Sequence, residues 1–136
     1  MTSRKEPRWL TRQHVEAIHE VQLASHGGLP GIRDLGALES ALGRAPNKWH
    51  YRQAHAVPDL AAAYGFAITR NHPFADGNKR TAFVSMVTFL EWNGRKFTAD
   101  ERDVVIVMLG VADGSISEAA LASWLRKNSV ARKKAK

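Results

Sequence analysis

The sequence predicts an all-α fold, a compact bundle of about six helices around a central buried helix, and three observations carry that prediction. Apolar residues recur at helical spacing in most segments. Residues 78–93 are apolar almost all round, through Phe83, Val84, Val87, Phe89 and Leu90, as expected of a helix covered on every side. Strand signals are nearly absent, since Arg95-Lys96-Phe97 is too short to count.

Taken in order, Thr11 is the expected N-cap of a first helix with Val15, Ile18 and Val21 on one face, ended by Gly27-Gly28. Its histidines, His14, His19 and His26, share no metal-ligand spacing and are assigned surface or packing roles. A turn-rich loop over 27–33 leads to a second helix over 34–44, with Leu35, Leu38, Ala41 and Leu42 inward and Pro46-Asn47 as its breaker. Residues 47–57 read as irregular. Pro58 opens a third helix over 58–70, where Leu60, Tyr64, Ala67 and Ile68 face inward and Ala61-Ala62-Ala63 with Gly65 permits close helix approach. After helix 78–93 ends at Asn93-Gly94 in a left-handed cap, Thr98-x-x-Glu101 and Ser115-x-x-Glu118 read as capping boxes for the last two helices.

At 136 residues the chain is sized for one domain, with 44% apolar residues and no cysteine. That excludes disulfides and thiolate metal sites. No apolar run is long enough to span a bilayer and the polar start lacks a signal peptide's apolar stretch, so a cytoplasmic location is expected and no membrane partner. The net charge of +7 is concentrated at one end: residues 126–136 hold Arg126, Lys127, Arg132, Lys133, Lys134 and Lys136 and no acid. Subtracting those six charges from +7 leaves +1 on the other 125 residues. Nucleic-acid binding is therefore not expected beyond non-specific attraction to a basic tail.

One stretch carries chemistry: His72-Pro73-Phe74-Ala75-Asp76-Gly77-Asn78-Lys79-Arg80-Thr81. Pro73 pushes His72 out of α geometry and ends the third helix, and Asp76-Gly77-Asn78 is turn and N-cap chemistry opening the next. Backbone N–H groups at that turn, with the positive end of the helix, form an anion site. Lys79 and Arg80 stand in the first turn, where the helix dipole favours acids. Two cations there make sense if an anion, above all phosphate, lies between them and the backbone. His72 is placed to act as a general base, and Asp76 is a hard oxygen ligand suited to Mg²⁺. Base, metal ligand and phosphate cradle together describe phosphoryl or nucleotidyl transfer. No Walker loop and no His-Arg-Asp or Asp-Phe-Gly motif is present.

The run resembles the core motif of the Fic/Doc superfamily, His-x-Phe-x-Asp/Glu-Gly/Ala-Asn-x-Arg. Members of the Fic branch transfer AMP from ATP to a protein hydroxyl, and carry Gly where this chain has Lys79 and a second Arg where it has Phe83. The Asn78-Lys79-Arg80 form is similar to that of the death-on-curing (Doc) toxins, protein kinases acting on translation elongation factor Tu. The likeness extends over roughly residues 9–124 and includes Gly27-Gly28-Leu29-Pro30-Gly31-Ile32-Arg33.

Composition marks a flexible start over 1–8 and a basic tail over 128–136, and the resemblance implies a catalytic domain over 9–127 between them. It implies the toxin of a type II toxin–antitoxin pair that transfers the ATP γ-phosphate to a hydroxyl side chain of elongation factor Tu, with ATP and Mg²⁺ as cofactors. His72, Asp76, Lys79 and Arg80 are then the catalytic residues, with Asp76 holding the metal. Phe74, Gly77, Asn78, Lys79 and Arg80 bind the nucleotide. A flap that holds the target segment is assigned by position to residues 48–55. The family's inhibitory Ser/Thr-x-x-x-Glu-Gly/Asn helix has its nearest match at Thr2-x-x-x-Glu6, followed by Pro7, so the brake is expected in trans, as a cognate antitoxin. Loss of Gly at position 79 and of Arg at position 83 disfavours the AMP-transferring pose of ATP. An AMP transferase remains the alternative, followed by a non-enzymatic basic module binding RNA or the ribosome, and a small helical RNase.

Overall fold

Helix starts in this chain are written mostly by short polar side chains. Thr11 accepts the His14 N–H while the His14 ring accepts the Thr11 N–H, a reciprocal cap that opens α1, Arg12–His26. Asp34 caps α2, Leu35–His50, and the uncapped helices α3, Val57–Asn71, and α4, Asn78–Trp92, follow. Asp100 caps α5, Glu101–Asp113, and Ser117 caps α6, Glu118–Lys127. Strands β1, Arg95–Phe97, and β2, Ser129–Ala131, complete the computed structural model, which describes residues 5–132.

Both capping boxes expected before the last two helices begin two residues too early. Thr98 instead gives its N–H to Asn128 O (2.8 Å), extending the strand pair, and the Ser115 hydroxyl closes α5 on Gly110 O (3.3 Å). In both cases the nearer polar residue, Asp100 or Ser117, is the one whose side chain reaches the free N–H three residues on.

The second helix does not break at Pro46 but carries it inside α2. Proline removes one helical N–H there, at a cost of about 3 kcal/mol or more in an unsupported helix. Tertiary packing offsets that loss. Ala45 is fully buried, Trp49 meets Trp9 edge-on at 6.2 Å, and Arg44 and Lys48 both reach Glu118 on α6, at 2.6 and 2.5 Å. Irregular chain is thus confined to 51–56.

The fold class is all-α, as predicted, but the central position goes to α3 and not to the motif's own helix. α3 is flanked by α2, α4 and α6, and its buried residues include Leu60, Tyr64 and Ile68. Its small residues do permit close approach: a Cβ on Gly65 would fall 2.5 Å from the Met86 sulfur of α4. On α4 the deepest residues are Thr81, Ala82, Ser85, Met86, Phe89 and Leu90, while Phe83, Val84 and Val87 are only half-buried. The turn after α4 uses Gly94 at φ +92°.

Arg95-Lys96-Phe97 does form a strand. It pairs antiparallel with Ser129–Ala131, in the register Arg95 to Ala131 and Phe97 to Ser129. A three-residue strand has no signature of its own, and the pairing is supplied by residues that composition assigned to the tail. Arg132 donates to Glu91 O (2.7 Å) and Arg126 pairs with Asp59, so part of the basic end is tied to the body. At the other end Glu6 accepts the Trp9 indole N–H (2.7 Å), and Arg8 lies 4.8 Å above the Trp92 ring. Ordering therefore begins within the segment expected to be loose; Met1, Thr2, Ser3, Arg4 and the last four residues lie outside the described residues. Among the described residues no helix is long and apolar enough to cross a membrane.

Candidate active site

The loop between α3 and α4 is built from its own sequence and then clamped from two sides. α3 ends at His72, whose φ of 47° and ψ of 55° put it in the left-handed region. Pro73 does exclude right-handed α geometry there, but the residue takes the mirror well and not the extended one. A non-glycine residue in that region costs of order 1 kcal/mol, and here the surroundings hold it. The Arg33 guanidinium donates to His72 O (2.7 Å) and Asn71 O (3.0 Å), closing the C-terminus of α3. From inside the loop, the buried Asn78 side chain accepts the Phe74 N–H and donates to Phe74 O, both at 2.9 Å. Asn78 Nδ2 also lies 3.4 Å from His72 Nδ1, a contact too long to fix the ring's tautomer.

The first clamp is the 27–34 loop. Pro73 O accepts the N–H groups of Arg33 (2.7 Å) and Asp34 (3.0 Å), and Ala75 N–H reaches Gly31 O (3.0 Å), so Ile32 bridges Phe74 as a one-residue antiparallel pair. Leu29 N–H donates to Asp76 Oδ2 at 3.2 Å. The approach needs a glycine: a Cβ on Gly28, at φ +123°, would stand 2.9 Å from that same oxygen. The second clamp is α1. His19, 4% exposed, stacks on Phe74 at 3.9 Å between ring centroids and bonds to Asp76 O at 2.8 Å.

These contacts shape a cleft of about 310 Å³ lined by His72, Ala75, Asp76, Gly77, Asn78, Lys79 and Arg80. α4 starts at Gly77 (φ 75°) with no side-chain cap and no acid in its first turn. The N–H groups of Asn78, Lys79 and Arg80 therefore meet no capping side chain among the described residues. Lys79 and Arg80 are exposed beside them and enter no salt bridge among the described residues. Asp76 accepts from the backbone at both oxygens, Leu29 N–H at Oδ2 and Gly77 N–H at Oδ1 (2.9 Å). Those bonds, Leu29 first, hold its carboxyl below the usual range, with smaller help from Arg80. An ionised carboxylate with lone pairs to spare fits Mg²⁺ held by one protein ligand and phosphates. It does not fit an all-protein metal cage, and no cluster of three or more His, Asp or Glu occurs among the described residues.

Of the residues singled out in the sequence, His72, Asp76, Gly77, Lys79 and Arg80 meet at the cleft. Phe74 does not: it is 1% exposed, packed in the core, and anchors the loop where nucleotide contact was expected. The Asn78 side chain is likewise spent inside the loop. The flap assignment to 48–55 is not met by the geometry of the cleft. None of residues 48–55 lines the cleft, and the segment hydrogen-bonded to the motif loop is 27–34. Sequence reasoning missed His19 and Arg33 as members of the site's frame. The available signal was that Val15, His19 and Leu23 recur every four residues on α1.

Beside the cleft, Phe83, Val104, Val105, Met108 and Leu109 form an apolar hollow of about 170 Å³, with Lys79 and Arg80 at its edge. Phe83 packs edge-on against Phe97 at 5.6 Å, so the position occupied by Arg in the Fic branch is here part of an apolar contact.

Residues 9–90 match the model of the Fic/DOC family. The chain is 33% identical over 120 residues to the protein kinase doc of Escherichia phage P1, covering 88% of this chain and 94% of that protein. It is also 40% identical over 75 residues to the toxin Doc of Mycolicibacterium smegmatis, 54% of this chain and 58% of that one. A motif loop clamped in this geometry, the family match and relatives of this kind lead to one conclusion: the chain belongs to the Fic/DOC family, in its Doc branch.

Proposed function

We propose that this protein is a Doc-like toxin: a kinase that transfers the γ-phosphate of ATP to a hydroxyl side chain of a target protein, with translation elongation factor Tu as the target. The observation that carries the reading is the uncapped start of α4. Backbone donors and two cations that enter no salt bridge among the described residues line one cleft there, with an imidazole and a carboxylate of lowered pKa beside them. Preorganised donors and cations of this kind stabilise charge that develops on a transferring phosphoryl group. The name of the phage relative, a protein kinase, supports the choice of chemistry.

In this reading His72 takes the proton of the attacking hydroxyl. The α4 amides, Lys79 and Arg80 bind and orient the phosphates. Asp76 would hold Mg²⁺, which when bound supplies charge neutralisation and phosphate alignment. Gly28, His19, Arg33 and Asn78 keep the loop in place. A cognate antitoxin acting in trans is the proposed brake. The exposed apolar side chains Val105, Ile106 and Leu109 on α5, next to the hollow beside the cleft, offer a surface for it.

The test is labelling of purified elongation factor Tu with γ-labelled and α-labelled ATP side by side. Label from γ-labelled ATP alone, with a mass gain of one phosphate, is expected. Label from α-labelled ATP would replace the kinase reading with AMP transfer, and label from neither would remove this target.

A further inference from the structure

We propose that His19 is a positioning residue for the Asp76 carboxylate, acting through the peptide that joins Asp76 to Gly77. The inference rests on the reading of Asp76 as the metal-holding group and adds a residue two elements away to the machinery.

The geometry is a set of three hydrogen bonds at Asp76, two of them made by one peptide plane. His19 Nε2 lies 2.8 Å from Asp76 O; a carbonyl only accepts, so Nε2 carries the proton and donates. The other end of that same peptide is the Gly77 N–H, which donates to Asp76 Oδ1 at 2.9 Å. Holding the carbonyl therefore fixes the plane, and the plane aims the N–H that selects the carboxylate's rotamer. Leu29 N–H then takes Oδ2 at 3.2 Å. Without His19 the Asp76 carbonyl loses that donor, and the peptide is flanked by Gly77, at φ 75°, a residue type that enters several backbone wells without steric cost.

The ring does a second job that a simple donor would not. It stacks on Phe74 with planes 11° apart, and Phe74 is pinned in turn by Asn78. Gly77 lies close enough to this pair that an added Cβ would stand 3.7 Å from the His19 ring. His19 is 4% exposed and stands outside the residues lining the cleft, so the role assigned to it is positioning and not contact with the reacting groups.

Two variants separate the donor from the packing. His19→Phe keeps the stack and removes the N–H; His19→Gln restores an N–H at comparable reach and removes the ring. In the free protein, amide hydrogen exchange of Ala75, Asp76 and Gly77 should quicken at least about tenfold in His19→Phe, with Phe89 and Leu90 in the core unchanged. In His19→Gln the loop amides should return toward wild-type rates. Outer partners of metal ligands typically contribute 10–100-fold in metal affinity. The apparent Mg²⁺ affinity in ATP binding should therefore fall about tenfold in His19→Phe and recover in His19→Gln. Unchanged loop exchange in His19→Phe, or loop and core quickening together in both variants, would overturn the proposal. Wild-type protein that binds no ATP with Mg²⁺ would instead refute the nucleotide reading, and the exchange arm would still decide the role of His19.

Discussion

The N-termini of α4 and α6 belong to the same small bundle and are built on opposite rules. α6 has a serine cap whose hydroxyl takes the Ala120 N–H, and Glu118 follows in the first turn. Every local term there favours the helix. α4 has a left-handed glycine in place of a cap, no acid in its first turn, and two cations where the dipole disfavours them. Both helices hold because α4 is covered on its other faces, by α3 above all, and does not depend on its end. The contrast teaches that stability has been given up at one helix end, and that the unspent donors there face a cleft.

The hardest way to break the comparison is at the proposed base. His72→Ala should lower phosphate transfer by about 10²–10⁴, the usual worth of a positioned base, while thermal unfolding shifts little, since His72 is exposed at a turn. Full transfer by a well-expressed variant would remove His72 from the mechanism.

Lys79→Glu sharpens the comparison by giving α4 the charge pattern of α6. The helix end should gain about 0.3–1 kcal/mol from the dipole, read as a small rise in Tm. Transfer should fall about a hundredfold as a cation facing phosphate becomes an anion. Loss of both stability and transfer would contradict the idea that this terminus trades one for the other.

On α3 the Tyr64 hydroxyl is spent inside, and pH should expose the difference. The buried Tyr64 hydroxyl accepts the Leu10 N–H at 3.1 Å, and burial raises its pKa to about 12. With a folded value above the unfolded one, near 10, its stabilisation is complete below pH 10 and is lost as pH rises toward 12. About two units correspond to roughly 3 kcal/mol. Urea midpoints measured from pH 9 to 12 should fall steeply in the wild type and less in Tyr64→Phe, itself weaker by about 1–3 kcal/mol from the orphaned Leu10 N–H.

The smallest effect belongs to the ordinary helix end. Ser117→Ala should cost about 1 kcal/mol by denaturation and leave transfer at the wild-type rate. A loss of transfer there would mean that α6 is coupled to the site.

How much of this was legible beforehand depended on the range of the interaction. Thr11 was readable as a cap because capping spans three residues, and the motif was readable because His72, Asp76, Lys79 and Arg80 lie within nine positions of one turn. The same local logic failed by two residues at Thr98 and Ser115, where several polar residues compete for one helix end and the fold chooses among them. It failed again at Pro46, because the packing that carries α2 past the proline comes from Trp9 and Glu118, far along the chain.

The sequence by itself determined the helical class, the position of the motif, and its make-up of imidazole, carboxylate and cation pair at a helix start. Periodicity and turn residues act over one or two turns of chain and need no partner to be read. Only the tertiary structure decided that α3 holds the centre, that Phe74 anchors the loop from the core, that 27–34 is the segment beside the motif, and that His19 grips Asp76. Those placements depend on contacts between separate elements, Leu29 and Asp76 being 47 residues apart and His19 and Asp76 57. Such pairings follow from how helices stack, and no local pattern encodes them.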